Sequence, residues 1–177
     1  MAILYYGESW KAGTSQLNYS PKNSSSTRKP KVSPHTHTNL PLGRLMALDV
    51  GNKKIGVAIT DPLQLYARPL TTLLRGNLHN DQKNILKLIQ KYKISSVILG
   101  LPLHVSGDES PSIDYVKPLA KTLTKKNIKI EWQDERFSSH FAEEHMSSLK
   151  IPVTERRRLR DQYAAALILT WYLEAHN

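Results

Sequence analysis

The apolar pattern of the chain switches on at about residue 44. Upstream, SPKNSSSTRKPKVSPHTHTNLP strings together Ser, Thr, Asn, Pro and Lys with almost no apolar periodicity. Such a composition cannot bury enough surface to offset its ordering entropy, so residues 1–43 are expected to be a disordered extension and residues 44–177 a folded domain. In the domain, Arg44–Val50 and Lys54–Thr60 read as strands around a Gly51–Lys53 turn, a β-hairpin. Tyr66–Leu74 predicts a third strand before the breaker Gly76–Asn77. Within Asn80–Tyr92, Ile85, Leu88, Ile89 and Tyr92 recur at helical spacing. SSVILGL, residues 95–101, is a short apolar run ended by Pro102, as in a buried strand. After the loop PLHVSGDESP, Pro111 can open a helix toward Lys126 with Ile113, Val116 and Ala120 inward. Ile128, Ile130 and Trp132 alternate as a strand ending in DERF, Ser138–Leu149 is helical, and a long helix covers about Glu155–Ala175. The order β-β-β-α-β-α-β-α-α argues for an α/β fold, a mixed five-stranded sheet with helices on both faces.

Acidic residues interrupt this pattern where it should be most apolar. Asp49 sits among Leu45, Met46, Ala47, Leu48 and Val50, and a buried carboxylate must be paired, bind a cation or hold its proton. The predicted topology lines up the C-terminal ends of the first, fourth and fifth strands, where open α/β sheets place their sites. Asp49 ends the first, and Asp134 and Glu135 end the fifth. In the last helix Asp161 shares one side with Ala164, Ala165, Ile168 and Tyr172, so it aims at the sheet. Singly each acid has a plain explanation: turn amides for Asp49, Arg136 for Asp134 or Glu135, Arg157 or Arg158 for Asp161. Together, in a domain without cysteine or clustered histidine, they suit oxygen-ligated Mg²⁺ or Mn²⁺. Two such ions about 4 Å apart are a standard device for phosphodiester hydrolysis.

The net charge of +10, shared between the extension and the domain, favours a nucleic-acid partner. Arg156, Arg157, Arg158 and Arg160 adjoin Asp161, and four arginines opening a helix oppose its dipole, which phosphate binding explains better than solvation does. Lys53, Lys54 and Arg136, with Arg68, belong to segments beside the acids. The absence of cysteine excludes disulfides and thiolate chemistry, and no run of about 20 apolar residues predicts a membrane span. GNKKIGV is not a phosphate loop, since Val57 stands where its Lys must be and a strand follows. No G-x-S-x-G elbow supports a serine hydrolase, and His104, His140, His35 and His37 read as solvated. The extension also has the flavour of an organelle transit peptide, so cytoplasm and an organelle both stay open.

DVGNKKIGVAITD, LGLPLHVSGDES, DERFSSHFAEE and RDQYAAALIL stand in the order and at the spacing of the YqgF/RuvX family, the pre-16S ribosomal RNA nucleases similar to RuvC-type Holliday junction resolvases. The resemblance spans about Arg44–Glu174. It implies a ribonuclease-H-like fold and a metal-dependent nuclease, with bacterial relatives tied to maturing the 5′ end of small-subunit ribosomal RNA. It places the family's first-strand aspartate on Asp49, its DER acid on Glu135 with Asp134 beside it, and its helix aspartate on Asp161. Gly51, Lys53, Gly56, Pro102, Gly107 and Arg136 fill the remaining motif positions. Lys54 departs from the usual Arg, and Phe137–Ser138–Ser139 from the usual Leu-Thr-Thr. Strand alternation sets Asp134 on the face of Ile130 and Trp132, whereas the resemblance favours Glu135. The expectation is a nuclease using Asp49, Glu135 and Asp161, with Lys53, Lys54 and Arg136 at the scissile region and Arg156–Arg160 on flanking phosphates. A resolvase of four-way DNA junctions, which needs a dimer where a ribonuclease can be a monomer, and a non-catalytic nucleic-acid-binding factor are the alternatives. Gly51 and Gly56 are expected to keep the hairpin slim where nucleic acid approaches.

Overall fold

The computed structural model describes residues 43–102 and 112–176. The expected extension up to residue 42 and the loop 103–111, with His104, Gly107 and Pro111, lie outside the described residues. The elements run β1 (Arg44–Val50), β2 (Lys54–Thr60), β3 (Ala67–Leu74), α1 (Leu78–Tyr92), β4 (Ile94–Leu101), α2 (Ile113–Thr124), β5 (Ile130–Asp134), α3 (Ser138–Ser148) and α4 (Val153–His176). The sheet order is β3-β2-β1-β4-β5, antiparallel across β3, β2 and β1 and parallel across β1, β4 and β5. This is the ribonuclease-H-like arrangement expected, and it does bring the C-terminal ends of β1, β4 and β5 to one edge.

Period-two alternation splits the strands between two cores. Met46, Leu48, Val50, Ile55, Val57, Ile59, Val97 and Leu99 face the side covered by Ile85 and Ile89 of α1 and Val116, Leu119 and Leu123 of α2. Leu45, Ala47, Ala58 and Ile98 face the other side, where Ala165, Ala166, Ile168, Leu169 and Tyr172 of α4 cover them. The small residues of α4 let its backbone come close to the sheet. Over Gly56 the approach is closest: a Cβ there would run into the Asp161 carbonyl and stand 3.0 Å from the Gln162 nitrogen. Gly56 is therefore covered by α4 rather than left open to nucleic acid, correcting the expectation.

Several boundaries move by a few residues. Asn77, read as a breaker, is the N-cap of α1, its side chain accepting from the Asn80 amide at 2.9 Å, so the helix opens at Leu78 rather than Asn80. Pro152 sits just before α4 and its carbonyl accepts the Glu155 and Arg156 amides, which starts that helix at Val153. Among the described residues no helix is long and apolar enough to cross a membrane.

Candidate active site

Asp49 stands near the end of β1 on the α4 side of the sheet, following Leu45 and Ala47 in alternation and paired across the hairpin with Gly56. Because α4 crosses over Gly56, Asp161 is delivered beside Asp49. On the other flank, the β1–β4 register ends at Leu48 opposite Leu99, so Gly100 is the next neighbour of Asp49. Glu135 follows β5, its amide donating to the Leu101 carbonyl at 3.4 Å, and its Oε2 occupies the space above Gly100 that a Cβ would fill. Two missing side chains thus make the room: Gly56 admits the backbone carrying Asp161, and Gly100 admits the Glu135 carboxylate.

Asp134 points elsewhere. In β5 Ile130 packs on the α1–α2 side, whereas the Glu131 carboxylate reaches Tyr172 of α4, its Oε2 accepting from the phenol hydroxyl at 2.6 Å. Alternation therefore carries Glu135, not Asp134, to the face of Asp49. Asp134 is bound instead to Arg136, whose backbone amide, Nε and Nη2 reach it at 2.9, 2.8 and 2.7 Å. Burial pushes the Asp134 carboxyl up, but those bonds outweigh it and hold it below the usual range. As a metal ligand Asp134 is not supported by this placement.

Asp49 and Glu135 are disturbed as crowded, buried carboxyls are. Burial, then the Asp161 charge, lifts Asp49 to about 7 against the opposing pull of Arg160. Burial, then Asp49 and Asp134, lifts Glu135 to about 8. Glu135 Oε2 and Asp161 Oδ2 are buried without a hydrogen-bond partner. Asp49 does not take the Gly51 amide, which donates to the Lys54 carbonyl at 3.0 Å. Among the described residues no three acidic or imidazole groups stand close enough to enclose one ion. The acids form a row, with Asp49 between Glu135 and Asp161. Hard carboxylate oxygens, crowded together and short of hydrogen bonds, fit Mg²⁺ or Mn²⁺.

The RuvX family model, described as Holliday junction resolvase, matches residues 43–175. The chain belongs to the RuvX family. Over 136 residues it is 40% identical to a "Putative pre-16S rRNA nuclease" of Roseiflexus sp. (strain RS-1), covering 76% of this chain and 96% of that one. Over 131 residues it is 39% identical to a protein of the same description from Carboxydothermus hydrogenoformans, covering 73% and 95%. Among solved structures, T. thermophilus RuvC in complex with Holliday junction substrate aligns with a TM-score of 0.48 at 12% identity, over 75% of this chain and 96% of that one.

In this RuvX domain the basic residues divide. Lys54 Nζ lies 3.8 Å from Asp161 Oδ2 and Arg160 Nε 3.7 Å from its Oδ1, both cations partly exposed at the edge of the acid row. Lys53 is exposed in the hairpin turn, and Arg157 is exposed on α4. Arg158 pairs with Glu155 at 3.0 Å on the surface. Arg156, expected on phosphate, instead reaches Glu143 of α3 at 3.2 Å and joins the two helices. Sequence reasoning missed Arg75. Its amide donates to the Lys53 carbonyl and its Nη1 to the Gly51 carbonyl, at 3.0 and 3.1 Å, while Nε holds buried Asp81 at 3.1 Å. The turn that presents Lys53 and Lys54 is thereby tied to the start of α1. The only local signal was Asp81 in the first turn of that helix.

Proposed function

We propose that this RuvX protein is a divalent-metal-dependent nuclease that trims a precursor of small-subunit ribosomal RNA. The carrying observation is the row Glu135, Asp49, Asp161 at the sheet edge, with two carboxyls lifted to about 7 and 8 and two buried oxygens unpartnered. Such a row is unfavourable to keep in a fold unless cations complete it. Asp49, Glu135 and Asp161 would hold Mg²⁺ or Mn²⁺, which supplies Lewis acidity and lowers the pKa of water when bound. Asp49 lies between the other two and so is the natural shared ligand. Lys54 and Arg160, already beside Asp161, neutralise an incoming phosphate, and Lys53 extends that positive edge along the turn. Asp134 fixes Arg136 at the other end of the row. The names borne by the relatives favour an RNA precursor as substrate.

Purified protein, labelled precursor RNA and Mn²⁺ make the decisive assay. Cleavage is expected, with a loss of roughly a hundredfold or more in Asp49→Asn and in Asp161→Asn. Cleavage that survives both changes would overturn the assignment. The family's description favours a second reading, resolution of four-way DNA junctions, which requires a dimer presenting two sites. Sedimentation with a junction-cleavage assay decides it: a dimer that cuts junctions in preference to RNA supports it, and a monomer inactive on junctions removes it.

A further inference from the structure

Glu135 is flanked on both sides by residues that line a groove. Gln133, Asp134, Arg136 and Phe137 join Phe141 of α3 and Trp171 of α4 around a volume of about 420 Å³. Resting on the nuclease reading above, we infer that this groove seats one unpaired nucleobase of the substrate strand, beside the acid row at which the scissile phosphate would lie. The volume is in the range of small-ligand sites, roughly 300–1,000 Å³, and suits a single base and its sugar.

Three observations point to a base. First, the walls are aromatic and wet: Phe137 is 54% and Phe141 44% exposed, although large apolar side chains on a folded surface normally find cover. Phe141 is braced edge-on by Trp171, centroids 6.0 Å apart at 88°, which fixes the ring while leaving much of it open. Second, Phe137 holds a left-handed backbone, φ 65°, which a bulky L residue rarely adopts and which costs energy unless its surroundings require it. Third, the polar groups suit the rest of a nucleotide. Asp134 Oδ2 holds the Arg136 guanidinium through two contacts, Nε at 2.8 Å and Nη2 at 2.7 Å, so the guanidinium is fixed at the groove rather than swinging in solvent. A fixed cation beside aromatic faces matches the phosphate and base of one nucleotide, and the Gln133 amide offers a donor and an acceptor to a base edge. Stacking on these rings requires the base to leave any duplex, so the inferred site favours single-stranded substrate at this position.

The test uses the full chain in EDTA, where no cleavage competes, and the fluorescence anisotropy of a labelled single-stranded 12-mer RNA. Each base is removed in turn to leave an abasic site. Phe137→Leu/Phe141→Leu keeps the apolar volume and removes the stacking faces, and its melting midpoint, expected near the parent's, shows that it folds. At one position an abasic site is expected to weaken binding by the parent about tenfold, and the double variant is expected to bind intact and abasic strands equally weakly. Equal binding of every strand by both proteins would overturn the inference, as would an unchanged KM of the double variant on a strand cleaved with Mn²⁺. The nuclease reading fails separately: no Mn²⁺-dependent cleavage with the abasic penalty intact rejects catalysis and leaves the base site standing.

Discussion

Two glycines that look alike in the sequence hold the site open in different ways. A Cβ on Gly100 would meet the end of the Glu135 side chain and stand 3.0 Å from Ile168 Cδ1, and both of these can swing. A Cβ on Gly56 would meet the Asp161 peptide of α4, which cannot move without the helix. Gly100→Ala is therefore expected to cost little stability, under about 1.5 kcal/mol, while displacing Glu135 and removing most Mn²⁺-dependent cleavage. Gly56→Ala is expected to cost about 1–3 kcal/mol or more in urea unfolding, because it lifts α4 from the sheet and Asp161 from Asp49. Urea midpoints and cleavage rates of the two variants separate the cases. Wild-type cleavage by Gly100→Ala would mean that the position of Glu135 does not matter.

At the scale of elements, what could be read locally was legible and what needed distant partners was not. Strands and helices followed from periods of two and 3.6, and Asp49 and Asp161 stood out because each is an acid on an inward position of its own element. The choice between Asp134 and Glu135 stayed open because alternation within β5 says which residues share a face, not which face α4 covers. The packing of Ile130 on the α1–α2 side and the Glu131–Tyr172 bond supply that missing fact. The roles of Gly56 and Gly100 are likewise set by α4 and by Glu135, remote in the chain. Arg75 and Asp81 are close in sequence, yet their task of holding the Gly51–Lys54 turn shows only in three dimensions. Arg75→Met leaves the buried Asp81 carboxylate without its cation, held only by the Gly76 amide at 2.8 Å, and is expected to cost about 3 kcal/mol in urea unfolding. Arg75→Met/Asp81→Asn removes the uncompensated charge while keeping an acceptor for the Gly76 amide, and should recover most of that loss. If the tie positions Lys53 and Lys54, the stable double variant still shows a raised KM; an unchanged KM would reduce Arg75 to a purely structural role.

For the whole molecule, the acid row links folding, pH and metal. Asp49 and Glu135 hold their protons more tightly in the folded state, at about 7 and about 8, than the ordinary values near 4 that an unfolded chain would show. In that window the folded state binds more protons through these two groups, so without metal their contribution to stability is fully present below about pH 4 and is lost as pH rises to about 8. The two groups interact, so the loss belongs to the pair and is read as a fall of several degrees in the melting midpoint. Metal reverses the trend, because ions that bind the deprotonated row only in the folded protein add stability by mass action, and more of it as the protons leave. Differential scanning calorimetry in EDTA from pH 5 to 8.5 should show the midpoint falling, and 5 mM Mn²⁺ should raise it most at the alkaline end. Asp49→Asn removes the central charge, so it should melt higher than the parent in EDTA at pH 8, near the parent at pH 5, and respond little to Mn²⁺. A parent protein indifferent to Mn²⁺ at every pH would instead favour a nucleic-acid-binding factor whose acids serve no ion.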